Sequence, residues 1–311
     1  MKVAISGGTG LIGRALVKAL LDKGHEPIVL SRSPERVTGK SKRVLYRKWN
    51  PPADDSGVDT SGDALAGALA DVDAVVNLAG EPIDSGRWTQ ARKQRIRDSR
   101  VIGNRRIVEA LSRLEKKPRT FIAGSAVGYY GSCGDTILDE KSPPGGNFLA
   151  GVCRDLEGEA TRAEELGLRV VALRTGVVLS PSGGALQRML TPFRLCLGGR
   201  LGDGNQWFPW IHESDLAGII VHCLENDTIA GPINGTAPGA VTNRDFTLTL
   251  GRVLKRPTPF PMPLALLRLL FGEMAGVLVS SHRTAADRIT RLGYEFRYED
   301  VEKALENVIS K

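Results

Sequence analysis

Three glycines spaced Gly7-x-x-Gly10-x-x-Gly13 lie between a short apolar run, Lys2 to Ile5, and a helical pattern, Leu16, Leu20 and Leu21, that ends at Gly24. A strand, a glycine turn and a helix in that order let the backbone approach a pyrophosphate, whose charge meets the free N–H groups and positive end of the helix. The residues in reach are Gly7, Thr9, Gly10, Leu11, Ile12 and Gly13. A tight turn can want glycine for geometry alone, so the surroundings decide. A second strand, Pro27 to Leu30, follows at the interval of a dinucleotide-binding unit and ends in Ser31-Arg32-Ser33. An acid at that strand end would hydrogen-bond a ribose 2′-hydroxyl and repel a phosphate. No acid is there. Arg32 instead offers a planar guanidinium suited to a 2′-phosphate, with Ser31 as a hydroxyl donor beside it, so the expected cofactor is NADP(H). The alternative for Arg32 is an exposed loop arginine.

Groups able to hold a substrate oxygen come later in the chain. The strand Thr120 to Gly124 delivers Ser125 and Tyr130 to its carboxyl end, where a parallel sheet opens its crevice. Both are expected to hydrogen-bond a substrate oxygen, against the alternative of a packed aromatic turn. His212 precedes Glu213, Ser214 and Asp215 at a helix start, which favours capping over acid–base duty. Cys153 has no histidine beside it in sequence and is read as a buried thiol. Pro181 to Gly184 and the glycine-rich Gly198 to Gly204 are read as a mobile flap, with Trp207, Phe208 and Trp210 as an apolar wall for a flat or hydrophobic substrate, against the alternative of a core aromatic cluster.

These groups need a scaffold, and 311 residues with 41% hydrophobic content allow one large α/β unit and a smaller lobe. The expected fold is a Rossmann-type doubly wound parallel sheet, residues 1–180 with 210–238, and a small C-terminal substrate lobe, residues 181–209 with 239–311. Cys133, Cys153, Cys196 and Cys223 show neither CxxC nor Cys/His spacing, which argues against disulfides and a metal site and for a reducing cytoplasm. Leu264 to Val279 is apolar, but it contains Arg268 and Glu273 and falls short of the roughly 20 residues of a membrane span, so it is read as a buried or lobe-packing helix. The net charge of +7 includes Arg87, Arg92, Lys93, Arg95, Arg97, Arg100, Arg105 and Arg106. Ile96, Ile107, Leu111 and Leu114 mark an apolar stripe with those charges mostly off it, a solvated helix face rather than a nucleic-acid surface.

Gly7-x-x-Gly10-x-x-Gly13 together with Asn77-Leu78-Ala79-Gly80 resembles the extended and atypical short-chain dehydrogenase/reductase superfamily. Arg87-Trp88-Thr89, Asp98-Ser99-Arg100, Ser125 through Gly131, Pro192-Phe193-Arg194 through Gly199, Phe208 through His212, and Asn234-Gly235-x-Ala237-Pro238 are similar to its epimerase-family subgroup, nucleotide-sugar epimerase-like or cell-division-inhibitor-like. The resemblance covers nearly the whole chain. It implies NADP(H) across the carboxyl edge of the sheet and a lobe closing over the nicotinamide. It also implies that Leu78, Ala79 and Gly80 line the cofactor, that the helix bearing Arg95 and Arg100 passes its phosphates, and that Val177 and Val178 contact the nicotinamide. A homodimer is left open, without a marked interface.

The superfamily moves its proton with a Tyr-x-x-x-Lys pair and a nearby Ser or Thr. Tyr46, Tyr129, Tyr130, Tyr294 and Tyr298 all lack a lysine four residues on. Aligned on Glu157, Leu149 and Cys153 stand where the pair belongs; aligned on Tyr130-Gly131, Ala126 takes the place of the serine, one residue after Ser125. The label epimerase does not by itself transfer chemistry. The sequence therefore supports an NADP(H)-dependent oxidoreductase or epimerase-like enzyme on an unidentified small molecule, with a non-catalytic NADP(H)-binding sensor as the rival.

Overall fold

Runs of apolar residues buried on both sides are what a parallel sheet demands of its strands, and Val3, Ala4 and Ile5, like Val75 and Val76, are sealed from solvent. In the computed structural model, which describes residues 1–37, 41–49 and 62–310, seven strands form one parallel sheet. They are β1 (Lys2–Ser6), β2 (Glu26–Ser31), β3 (Leu45–Lys48), β4 (Ala74–Asn77), β5 (Thr120–Ala126), β6 (Arg169–Thr175) and β7 (Gly231–Gly235), in the order β7-β6-β5-β4-β1-β2-β3. The order reverses at β1, where Ser6 stands in register with Leu30 on one side and Asn77 on the other. A ligand crevice is expected beyond the carboxyl ends of the strands at that reversal.

Helices cover both faces. On one, α1 (Leu11–Asp22) and α6 (Glu213–Glu225) pack together with Ala286, Ile289 and Leu292 over Val3, Ile5 and Val76. On the other, α2 (Gly62–Leu69) and α3 (Gln90–Ser112) pack over Ala4, Val75 and Phe121, and α4 (Phe148–Thr161) lies against α3. Each fully buried Val, Leu or Ile contributes about 1.5–3 kcal/mol. The smaller lobe gathers α5 (Gly184–Arg194), α7 (Asn243–Leu254) and the final helix Val301–Ile309 around Trp210 and Phe246. The segment Ala286–Phe296, expected in the lobe, completes the core beneath the sheet instead.

Leu264 to Val279 also departs from expectation. A helix, α8 (Leu264–Phe271), stops at Gly272, whose φ of +61° breaks it, and short turns follow. Leu267 and Ala275 are buried, while Leu266, Leu269 and Leu270 are exposed, so the segment is only partly lobe packing. Among the described residues no helix is long and apolar enough to cross a membrane.

Candidate cofactor and active site

The glycine turn is pressed against the end of β4. Gly7 has φ +75°, and a Cβ there would come within 2.7 Å of the Leu78 carbonyl carbon; a Cβ on Gly13 would overlap the Gly7 carbonyl oxygen. Gly10 N donates to Gly7 O (2.9 Å), closing the turn. Gly10 is the N-cap of α1 and has no side chain to cap it, so the N–H groups of the first turn are left for a ligand. Such a cradle fits a dinucleotide pyrophosphate. Ile12 helps anchor it by packing into the core, and Leu11 lies beside Gly183 and Gly184, which brings the loop after Val177–Leu179 up to the glycine turn. Val177 and Val178 are half-buried there, with Val177 N donating to Pro209 O at 2.6 Å.

The Leu78–Gly80 loop is held by Asn77, Ser99 and Arg100, and behind them by Asn104, which no motif pointed to. Asn77 Oδ1 accepts from Ala79 N (3.2 Å), its Nδ2 donates to Asn104 Oδ1 (2.7 Å), and Asn104 in turn donates to Leu156 O (2.9 Å). Ser99 Oγ accepts from Glu81 N at 2.9 Å. The Arg100 guanidinium lies over Gly80, where a Cβ would sit 2.8 Å from Cζ, and donates to the carbonyls of Glu81 and Ile96. Burial lowers the Arg100 pKa, opposed by Cys153 and Glu81; among the described residues it makes no salt bridge, so an anion would be well received. Arg95, expected with it beside the phosphates, is exposed on α3. At the end of β2, Ser31 Oγ accepts from Ser33 N (3.3 Å) and Arg32 is exposed.

At the other end of the crevice the polar groups are engaged with one another. Ser125 Oγ donates to Glu157 Oε1 (2.6 Å), and Arg174 grips both Glu157 oxygens, at 3.0 and 2.8 Å. Although burial opposes its charge, the hydrogen bonds and charge of Glu157 raise the Arg174 pKa above the ordinary arginine value. Tyr130 is 1% exposed, and its hydroxyl donates to Asn234 Oδ1 (2.6 Å) and accepts from Arg174 (3.1 Å). Burial pushes its pKa up to about 12, with Arg174 pulling the other way. Tyr130 is thus the packed aromatic turn and not a group facing the crevice, because its hydroxyl finds both partners inside. Cys153 is a buried thiol pushed up to about 11, by burial first and the Glu157 charge second. The signal that could have found the network is the i, i+4 spacing of Cys153 and Glu157, which stacks them on one face of α4.

The lobe corrects two expectations. Trp210 is buried in the lobe core, its Nε1 donating to Gly239 O (2.7 Å), and Phe208 packs on Phe246 with centroids 4.3 Å apart; only Trp207 of the supposed wall stays clear of that core. The 198–204 stretch is pinned, since Gly202 N donates to Met262 O (2.9 Å), Met262 N to Arg200 O (2.8 Å) and Leu201 N to Asn243 Oδ1 (2.8 Å). His212 caps α6 by accepting from Ser214 N at 3.1 Å. On α3, Lys93, Arg97, Arg105 and Arg106 pair with Glu273, Asp155, Glu159 and Glu109, so much of the basic run is engaged inside the molecule. Among the described residues no group of three or more His, Cys, Asp or Glu is placed to hold a metal ion.

Residues 3–234 match the NAD dependent epimerase/dehydratase family, and residues 262–308 match a domain of unknown function, DUF1731. The epimerase family protein Mb2239 of Mycobacterium bovis is 40% identical over 305 residues, covering 97% of this chain and 96% of its own. A chloroplastic homolog of epimerase family protein SDR39U1 from Arabidopsis thaliana is 39% identical over 311 residues, with 99% and 87% covered. Among solved structures, human epimerase family protein SDR39U1 with NADPH superposes with a TM-score of 0.86 at 32% identity, over 100% of this chain and 99% of that one. With that likeness running over both the sheet and the lobe, the chain belongs to the NAD dependent epimerase/dehydratase family.

Proposed function

We propose that the protein is an NADP(H)-dependent oxidoreductase or epimerase-like enzyme acting on a small molecule without the Tyr-x-x-x-Lys pair. The observation that carries the reading is the cradle: Gly7 and Gly13 packed too closely for a side chain, beneath an uncapped α1. The NADPH in the human relative and the absence of an acid at Ser31-Arg32-Ser33 support the phosphorylated cofactor. Bound NADP(H) would supply or take a hydride at its nicotinamide. Around it, Leu78–Gly80 and Val177–Val178 would line the site, the α1 N-terminus and Arg100 would meet the phosphates, and Arg32 would meet the 2′-phosphate. Ser125, whose proton is held by Glu157 Oε1, would accept a hydrogen bond from a substrate hydroxyl and pass that proton towards Glu157. All four cysteines are free, which suits a reducing cytoplasm.

The test is titration with NADPH, NADP+, NADH and NAD+, followed by nicotinamide fluorescence, on the wild type and Arg32→Asp. Tight NADPH binding that Arg32→Asp weakens at least about tenfold, with NADH spared, supports the reading; binding of none of the four, or a preference for NADH, sinks it. A second reading, a non-catalytic NADP(H) sensor, is favoured by one observation: the Ser125 and Tyr130 hydroxyls both donate to internal acceptors. It predicts different affinities for reduced and oxidised cofactor and no turnover with a panel of alcohols and carbonyls.

A further inference from the structure

Just past β2 the chain carries a second basic group. Pro34–Arg36 forms one 3-10 turn, started by proline and closed by Arg36 N donating to Ser33 O at 3.0 Å. The turn sets Arg36 in the wall of a cavity of about 450 Å³ that is also lined by Gly8, Thr9, Ser31 and Ser33. Arg32 is not among the described residues lining it. Arg14 lines it too, but its guanidinium already donates to Thr9 O at 2.9 Å. The Arg36 guanidinium has no acceptor among the described residues, and Ser31 Oγ, which accepts from Ser33 N, keeps its own proton to donate. One cavity therefore joins the glycine-turn backbone, Ser31, Ser33, Ser41 and an open guanidinium, a donor set for a dianionic phosphate.

We infer that Arg36 determines cofactor specificity by binding the 2′-phosphate of NADP(H) from within this cavity, so that Arg32 is one of two guanidinium groups on that phosphate. The inference rests on the NADP(H) reading above. Two arginines sharing one dianion make each partly redundant, and discrimination against NADH disappears only when both are gone.

The experiment measures NADPH and NADH dissociation constants for the wild type, Arg36→Met, Arg32→Met and the double variant, with thermal melts as a check on folding. Methionine keeps the apolar stem of an exposed side chain and removes only the charge. Arg36→Met is expected to weaken NADPH about tenfold, leave NADH within about twofold, and combine with Arg32→Met to abolish the preference. Unchanged NADPH affinity in Arg36→Met, or equal weakening of both cofactors, overturns the role of Arg36 while a wild-type preference for NADPH leaves the cofactor reading standing. A wild type without that preference removes both.

Discussion

The two ends of the crevice are built on opposite plans. Around the glycine turn the backbone is crowded and donors are left open: Gly7 and Gly13 admit no side chain, Gly10 brings no capping side chain, and the Arg32 and Arg36 guanidinium groups have no partners among the described residues. Around Ser125 the reverse holds, with Glu157, Arg174, Tyr130 and Asn234 closing on one another through bonds of 2.6–3.1 Å. The first end leaves its donors open to an anion. The second is a finished polar network whose first task is to hold β5, β6 and α4 together, and any chemistry there must use what that network leaves over.

At the glycine end the contrast is tested by Gly13→Val. The new side chain would collide with the Gly7 carbonyl, and overpacking strain of about 1–3 kcal/mol at the turn should weaken NADPH on the order of a hundredfold in a fluorescence titration. Retained affinity would mean that the cradle does not hold the pyrophosphate. Glu157→Gln addresses the other end by leaving Arg174, whose side chain is 4% exposed, without its charge partner. Breaking a buried pair should cost about 3–5 kcal/mol in denaturant unfolding; a small loss would show that the network is not structural. Smallest is Tyr130→Phe, expected to lower stability by about 1 kcal/mol and leave NADPH affinity alone. Unchanged stability with lost turnover would return Tyr130 to the chemistry and blur the two plans.

What could be read in advance follows the same division. Strand, glycine turn and helix were legible because close backbone approach admits one residue type. Side-chain burial leaves no such mark. Tyr130 and Trp210 look from their spacing like groups lining a site, yet both are sealed. Glycines misled in the lobe for a related reason. Gly198 and Gly199 suggest freedom, whereas their bare Cα atoms let the chain press against Phe193 and the Phe260 carbonyl. The place of Arg36 in the wall beside Gly8 and Thr9 left no mark in the sequence, because only the 3-10 turn brings it there. β1 was legible as an apolar run and β5 as a strand, but nothing local signals that Ala286–Phe296 returns to close the core.

That return has a consequence for how the chain acquires its structure. Val3, Ile5, Leu16 and Leu20 share one apolar cluster with Ile219, Ile220 and Ile289. Contacts so far apart in sequence are slow to form, and synthesis proceeds from the N-terminus. The α2–α3 face of the sheet can bury its apolar side chains while the chain is still being made. The α1 face stays open until Ala286–Phe296 has been made, which leaves a half-covered sheet in need of protection from other chains during that interval.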